Sequence, residues 1–198
     1  MVLEVDYNQL TSFPDLTFCQ HSIEVVTACC NLITSIDLSV LSSLPKLTYL
    51  DLHENELIHV TPLQIGQSLP QIAMIDVSSN HLSSFPQLYQ QTVSPSYPDL
   101  VIYLSDNPLE CGSCLTWLKH CPYNIVTDKD DAIVCATPPQ FVGRTFDSVL
   151  FTELNSYECV EFANDTESST TAINEENINC QHQQNTGIIS RVITMVKR

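Results

Sequence analysis

Five asparagines recur along the first half of the chain at a nearly constant spacing. The steps between them are 23, 24, 25 and 27 residues, and the asparagines are Asn8, Asn31, Asn55, Asn80 and Asn107. A repeat of this length indicates units that cannot cover their own apolar faces and must stack on their neighbours. The spacing therefore predicts a solenoid.

Each asparagine lies inside the same frame of aliphatic residues, which is complete around the second, third and fourth of them. Around Asn55 the frame consists of Leu47, Leu50, Leu52, Leu57 and Val60. The alternation before the asparagine predicts a short strand with one face inward, and the two later positions turn the chain back under that strand. Stacked strands form a parallel sheet, and the asparagine amide can satisfy backbone groups where the chain leaves it.

Amphipathic helices are the alternative to this interpretation, and prolines exclude them. These prolines lie between the predicted strands at Pro45, Pro62, Pro70, Pro86, Pro95 and Pro98. Proline removes a backbone donor and clashes with the preceding helical turn. The predicted fold is an α/β solenoid: a right-handed superhelix with a parallel β-sheet on its concave face and loops or short helices on its convex face.

Both ends of the array, residues 1–106, are irregular. The first frame position of Asn8 would precede Met1, so we expect the chain to begin inside a repeat and to be a fragment of a longer protein. The first position of Asn107 falls on Asp99, and we expect Leu100 to replace it after a one-residue deletion.

The nine cysteines suggest an oxidising compartment with disulfide bonds. The first residues form a repeat strand rather than a signal peptide, so a cytosolic protein with reduced thiols is the alternative. The net charge of −16 makes nucleic acid and anionic membranes poor partners.

Cysteines concentrate in residues 107–159, directly after the repeats. The segment contains, in order, Asn107-Pro108, Cys111, Cys114, Trp117-Leu118, Cys135 and Cys159, with a short helix predicted after Cys114. This order resembles the cysteine-rich C-terminal cap of extracellular leucine-rich-repeat proteins, which include Toll-like and Slit-like ectodomains. The resemblance covers roughly residues 1–159 and implies non-enzymatic protein binding in adhesion, receptor signalling or innate immune recognition.

The resemblance also implies the disulfides of the cap. It pairs Cys111 with Cys135 and Cys114 with Cys159, while the additional Cys121 leaves connectivity open. Cap cysteines could instead bind zinc, or Cys111 and Cys114 could form a redox pair, but the sequence context fits a structural cap better.

In the same family, a tryptophan and a leucine plug the open end of the repeat core, a role that falls to Trp117 and Leu118 here. The family usually has one residue between its first two cysteines, whereas Gly112 and Ser113 stand between these.

Three further cysteines lie in the repeats and one in the tail. Adjacent cysteines do not easily bond one another, so one of Cys29 and Cys30 is a candidate partner for Cys19, with the other free. Cys180 makes the count odd, which allows a disulfide-linked dimer.

Candidate ligand-binding residues are the outward strand positions, which the frame leaves free of packing. One column across the strands is Val25, Tyr49, Met74 and Val101; the next is Glu4, Thr27, Asp51, Asp76 and Tyr103; the third includes Asp6, Cys29, His53, Ser78 and Ser105. An apolar strip beside acidic residues predicts a protein ligand with a basic or polar patch. Aspartates that only solvate the sheet explain the acidic column equally well.

Catalytic and cofactor motifs are not found. The six histidines are scattered, and four glycines supply no phosphate-binding loop. His53 beside Asp51 and Asp76 suggests a metal or pH-sensing role, although a solvated histidine is the simpler interpretation. An enzyme is therefore disfavoured; a structural or matrix spacer and a cytosolic scaffold are the competing classes.

The tail, residues 160–198, differs in composition. Residues 161–176 carry five acidic and no basic residues, which is typical of a disordered stalk, and Asn164 begins a glycosylation sequon. Aliphatic residues at helical spacing predict a short amphipathic end, too short and too charged to cross a bilayer. The full-length protein could still have a membrane anchor.

The cap interpretation is tested by a disulfide map of the secreted protein. Peptide mass spectrometry without reduction should find Cys111 linked to Cys135 and Cys114 linked to Cys159. Four free thiols at these positions would instead support the zinc or redox interpretation.

Overall fold

A parallel sheet with one short strand from each repeat organises the chain. The structure, a computed structural model, describes residues 1–17, 19–62, 72–87, 100–120, 124–125 and 132–159. Within these ranges the main sheet has the order β1 (Val2–Glu4), β2 (Val25–Thr27), β4 (Tyr49–Asp51), β6 (Met74–Asp76), β7 (Val101–Tyr103) and β8 (Asn124–Ile125). The predicted parallel solenoid is confirmed.

The central residue of each repeat strand points into the core. These residues pair in one line across the sheet: Leu3, Val26, Leu50, Ile75 and Ile102. From Val26 onward they have no exposed surface. Leu100 is also buried in the core, at the place the one-residue deletion predicts. Apolar burial of this kind contributes roughly 25 cal/mol per Å² removed from water.

The frame asparagines join neighbouring repeats. Asn55 Oδ1 accepts a hydrogen bond from Ile33 N in the preceding repeat at 3.1 Å. Its Nδ2 donates to Ala28 O of the preceding repeat at 2.9 Å and to Leu52 O of its own at 3.0 Å. The same three kinds of bond recur at Asn31, Asn80 and Asn107. Each amide is thus a buried bridge between two coils of the solenoid.

A left-handed residue precedes every frame asparagine. The residues are Tyr7, Cys30, Glu54, Ser79 and Asp106, with φ between 50° and 57°. None is glycine, although a non-glycine residue in this region carries a conformational cost. Backbone bonds between repeats hold the turn, such as Cys30 N to His53 O at 3.1 Å. This turn ends the strand and places the asparagine amide inside the stack.

A second, two-stranded parallel sheet lies after the asparagines of two repeats. It pairs β3 (Ser35–Asp37) with β5 (His59–Thr61). A 3₁₀ helix, Leu38–Ser43, follows β3, and Asp37 caps it by accepting a hydrogen bond from Ser39 N at 2.8 Å. The predicted convex face of loops and short helices is therefore incomplete, because it omits this sheet.

The cap closes the array after β7. It contains a 3₁₀ helix, Ser113–Lys119, a 3₁₀ turn, Phe146–Ser148, and the helix α1 (Phe151–Asn155). The structure links Cys111 to Cys135 and Cys114 to Cys159, the connectivity that the resemblance implies. The Trp117 ring stacks on Phe85 of the Asn80 repeat, with 6.5 Å between ring centroids, and Leu118 is also buried.

The extra residue between the first two cap cysteines has a structural explanation. A Cβ atom on Gly112 would lie 2.8 Å from both Cys159 Sγ and Tyr157 O, so a side chain there would displace the end of the cap. Ser113 N donates to the same Tyr157 carbonyl at 2.8 Å. Gly112 and Ser113 thus form the surface on which residues 157–159 pack.

The proposed pairing of Cys19 with Cys29 or Cys30 is not found. All three thiols are free, and the buried Cys19 Sγ contacts Leu16 O at 3.4 Å. Cys19 lies in the turn before β2, whereas Cys29 and Cys30 follow that strand, so the core separates their ends of the repeat.

Several predictions fall on residues outside the described ranges. They concern Cys121, Cys180, the sequon at Asn164 and the tail, residues 160–198. Where the structure describes the chain, it contains no helix of the length and apolarity that crossing a membrane requires.

Replacing one bridging asparagine should destabilise the whole array. In Asn55→Ala, Ile33 N loses its acceptor, and the carbonyls of Ala28, Leu52 and His53 lose a donor. We therefore expect the free energy of unfolding to fall by about 2–5 kcal/mol. Urea unfolding followed by circular dichroism measures this change. Asn8→Ala is the matched control, because Asn8 is exposed and bonds to carbonyls of its own repeat; its effect should stay below about 1 kcal/mol. Equal effects of the two substitutions would contradict the bridging role.

Candidate functional site

The concave face, meaning the outward side of the main sheet, is the candidate site. Its first column is Val2, Val25, Tyr49, Met74 and Val101, and its second is Glu4, Thr27, Asp51, Asp76 and Tyr103. Both columns lie in the register that the sequence predicts. A ligand-binding role for these residues stays a prediction.

Exposure differs strongly within the columns. Thr27, Asp51 and Met74 are 3%, 8% and 4% exposed, so their side chains offer little surface to a ligand. Glu4 is exposed and Tyr49 half-buried, as are Asp76 and Tyr103. The sequence pattern gives the outward direction of a side chain but not how closely its neighbours cover it.

Asp51 is the most heavily used carboxylate on this face. Its Oδ1 accepts hydrogen bonds from His53 N at 3.0 Å and contacts His53 Nδ1 at 2.6 Å. Its Oδ2 accepts a bond from the Tyr49 hydroxyl at 3.4 Å. Asp51 therefore fixes the two side chains beside it.

The pKa values of both neighbours respond to this carboxylate. The hydrogen bond with Asp51 raises the pKa of His53 to about 9; burial opposes this shift, and the charges of Asp51, Asp76 and Glu54 add to it. Burial raises the pKa of Tyr49, and the Asp51 charge adds to the effect, so its hydroxyl stays a donor.

Asp76 repeats the backbone role of Asp51 in the next strand. Its Oδ1 accepts bonds from Ser78 N at 2.9 Å and Ser78 Oγ at 2.6 Å. Burial raises the pKa of Asp76, although these bonds from Ser78 oppose the shift. Both aspartates therefore accept a hydrogen bond from the backbone N–H two residues later. This structural role goes beyond the solvation of the sheet that the sequence suggested.

In the first repeat, Asp6, which follows β1, has a different role. Asp6 reaches across to the next repeat, where Oδ2 accepts a bond from Thr27 Oγ1 at 2.9 Å and Oδ1 accepts one from Cys29 N at 2.9 Å. This bridge buries Thr27 and positions the Cys29 backbone. Glu4 remains exposed beside it.

His53 belongs to two groups of side chains that could bind a metal ion. Ligand atoms of Asp51, His53 and Asp76 lie within 4.8 Å of one another, and so do those of Cys29, Cys30 and His53. The first group, Asp51, His53 and Asp76, is the one that the sequence pattern predicts to be adjacent on the sheet. The second was missed because Cys30 precedes a frame asparagine and lies outside the strand alternation, so its turn conformation decides where the thiol points.

Comparisons with known proteins agree with this architecture. The leucine-rich-repeat family model matches residues 21–82. Leucine-rich repeat and fibronectin type-III domain-containing protein 4 of Rattus norvegicus is 31% identical over 131 residues, covering 63% of this chain and 19% of the rat protein. Leucine-rich repeat and fibronectin type III domain-containing protein 1-like protein of Danio rerio is 28% identical over 124 residues, covering 59% of this chain and 17% of that protein.

The fold also matches a solved structure. Human trophoblast glycoprotein has a TM-score of 0.50 and 21% identity, and the match covers 69% of this chain and 49% of that one. The stacked repeats and the two cap disulfides define a capped parallel solenoid. Its repeats match the leucine-rich-repeat family model over residues 21–82, and its fold is that of a leucine-rich-repeat solenoid with a cysteine-bonded C-terminal cap.

The contact between His53 and Asp51 should make stability depend on pH. Because folding raises the pKa of His53 from 6.5 to about 9, its contribution is fully present below pH 6.5 and is lost as the pH rises through about 9. In chelator-treated protein, the difference in unfolding free energy between wild type and His53→Gln should therefore shrink between pH 6.5 and 9.

The matched control is His81→Gln, which removes an exposed histidine outside the concave face. It corrects for the general effect of losing one imidazole. A wild-type advantage over His53→Gln that stays constant across this pH range would rule out the proposed coupling.

Proposed function

We propose that the chain is a non-enzymatic protein-binding module of an extracellular or cell-surface protein, and that its concave face contacts the ligand. Two disulfides in the cap support an oxidising compartment. The chain spans about a fifth of the rat relative's length, so the proposal concerns binding through the repeat array of this chain alone.

The observation that carries the proposal is the placement of half-buried aromatic side chains on a rigid sheet. Tyr49 and Tyr103 lie in adjacent columns, with Asp76 between their strands. Tyrosines supply large contact areas at low entropic cost and are enriched among residues that dominate binding energy. Because Asp51 already orients Tyr49, little further ordering is needed on binding.

The charge of this face selects the kind of ligand. Glu4, Asp6, Asp76 and Glu54 lie on or beside it, and the chain as a whole has a net charge of −16. A protein ligand with a basic or polar patch would be attracted, and opposite charges would speed its association. Salt should then slow association more than it speeds dissociation.

A spacer is the second candidate function. Its support is the structural use of Asp51 and Asp76, whose carboxylates satisfy backbone N–H groups. In that case the array separates other parts of a longer protein, and no surface of the concave face contributes to binding.

Single substitutions distinguish the two functions. The secreted chain, multimerised on an antibody Fc region, is screened against an array of purified ectodomains and secreted proteins, and hits are measured by surface plasmon resonance. Tyr49→Ala and Tyr103→Ala should each weaken binding by about tenfold or more.

The control is His59→Ala, an exposed residue of β5 in the second sheet. It should leave affinity unchanged, and circular dichroism should show all variants folded. Loss of binding in His59→Ala with retention in both tyrosine variants would move the site away from the concave face. Absence of any ligand across the array would favour the spacer.

A further inference from the structure

We propose a binding site for a divalent cation of the zinc class, with Cys29 Sγ, Cys30 Sγ and one ring nitrogen of His53 as its ligands. The site lies at the end of β2 and β4, at the edge of the concave face. It goes beyond the proposed protein-binding function and does not depend on it.

The repeat architecture brings the three ligands together. Cys29 and His53 occupy equivalent places in adjacent repeats, each two residues before a frame asparagine. Cys30 follows in the left-handed conformation, with φ 57°, and its N–H bonds to His53 O at 3.1 Å. This bond ties the thiol-bearing turn of one repeat to the histidine of the next.

The spacing suits a tetrahedral ion. The three ligand atoms lie within 4.8 Å of one another. Zinc bond lengths of roughly 2.0–2.3 Å require ligand atoms about 3.3–3.8 Å apart in a tetrahedron. Cys30 and His53 are half-buried, so both side chains are reached from solvent and have freedom to rotate toward this spacing.

Asp51 orients the histidine as a metal ligand requires. Its carboxylate is 2.6 Å from His53 Nδ1 and is itself held by His53 N. A histidine whose Nδ1–H donates to a carboxylate presents Nε2 to a metal, the arrangement that is common around bound zinc. Binding displaces the two thiol protons and any proton on Nε2 to solvent, as metal–thiolate ligation generally does.

The chemistry of the ligands selects the ion. Two thiolates and an imidazole prefer zinc and similar borderline-soft ions over calcium or magnesium, which prefer oxygen. Both thiols are free of disulfide bonds. The Glu54 carboxylate, which accepts a hydrogen bond from Cys30 Sγ at 3.4 Å, adds negative charge beside the site, and a water can complete the tetrahedron.

A carboxylate site at Asp51, His53 and Asp76 is the competing arrangement. It is less favourable because Asp51 Oδ1 and His53 Nδ1 already contact each other at 2.6 Å, which leaves no room for an ion between these two atoms. The thiol site uses the other ring nitrogen of His53 and keeps this contact.

The test uses the intact secreted chain, stripped with a chelator and titrated with Zn²⁺ in one sample and with Co²⁺ in a separate sample. We expect one equivalent bound, together with the near-ultraviolet charge-transfer band that thiolate–cobalt ligation produces. Cys30→Ser and His53→Gln should each lower affinity at least tenfold and remove or weaken this band. Cys19→Ser, which changes a buried thiol outside the site, should keep both.

Asp76→Asn separates the two arrangements. Loss of binding in Asp76→Asn, with binding retained in Cys30→Ser, would assign the ion to the carboxylates and overturn the proposal. A bound metal without a thiolate band would do the same. So would intact-mass and peptide analysis showing Cys29 and Cys30 oxidised to a disulfide in the secreted protein.

Discussion

The hydrogen bonds of the buried asparagine amides are the constraint on which the rest of the structure depends. Each amide bonds to carbonyls of its own and the preceding repeat and accepts an N–H from the preceding one, as Asn55 does with Leu52, Ala28 and Ile33. A buried polar group left without these partners would cost more than the bond itself contributes. The repeats therefore stack in one register, and that register aligns every column of the concave face.

This alignment places structural carboxylates and partly exposed side chains on the same strands. Asp51 and Asp76 satisfy backbone N–H groups at the strand ends, whereas Tyr49, His53 and Tyr103 keep part of their surface in solvent. The acidic residues therefore act through their neighbours and through the field they create. In the proposed binding function the aromatic and imidazole groups would supply the contact surface, which the sheet holds in place before any ligand arrives.

Sequence periodicity predicted the strands and their register, because one inward residue in two and a buried amide per repeat leave a regular pattern. The closing cap was predicted from the resemblance of its cysteine order to a known family. The periodicity did not predict the second sheet, where Ile36 and Val60 are frame positions that fit a loop equally well. It also gave no measure of the burial of Thr27, which results from Asp6 reaching over from the adjacent strand. Proximity of Cys30 to His53 depends on a turn conformation that no residue type demands.

That turn has a consequence for how such arrays diversify. Tyr7, Cys30, Glu54, Ser79 and Asp106 share one backbone conformation yet have unrelated side chains. Glycine would fit each place with less strain, but it would remove the side chain that every coil presents along the rim of the sheet. The conformational cost at these positions thus maintains a row of chemically variable groups beside the strands, where one residue can change without disturbing the packing beneath it.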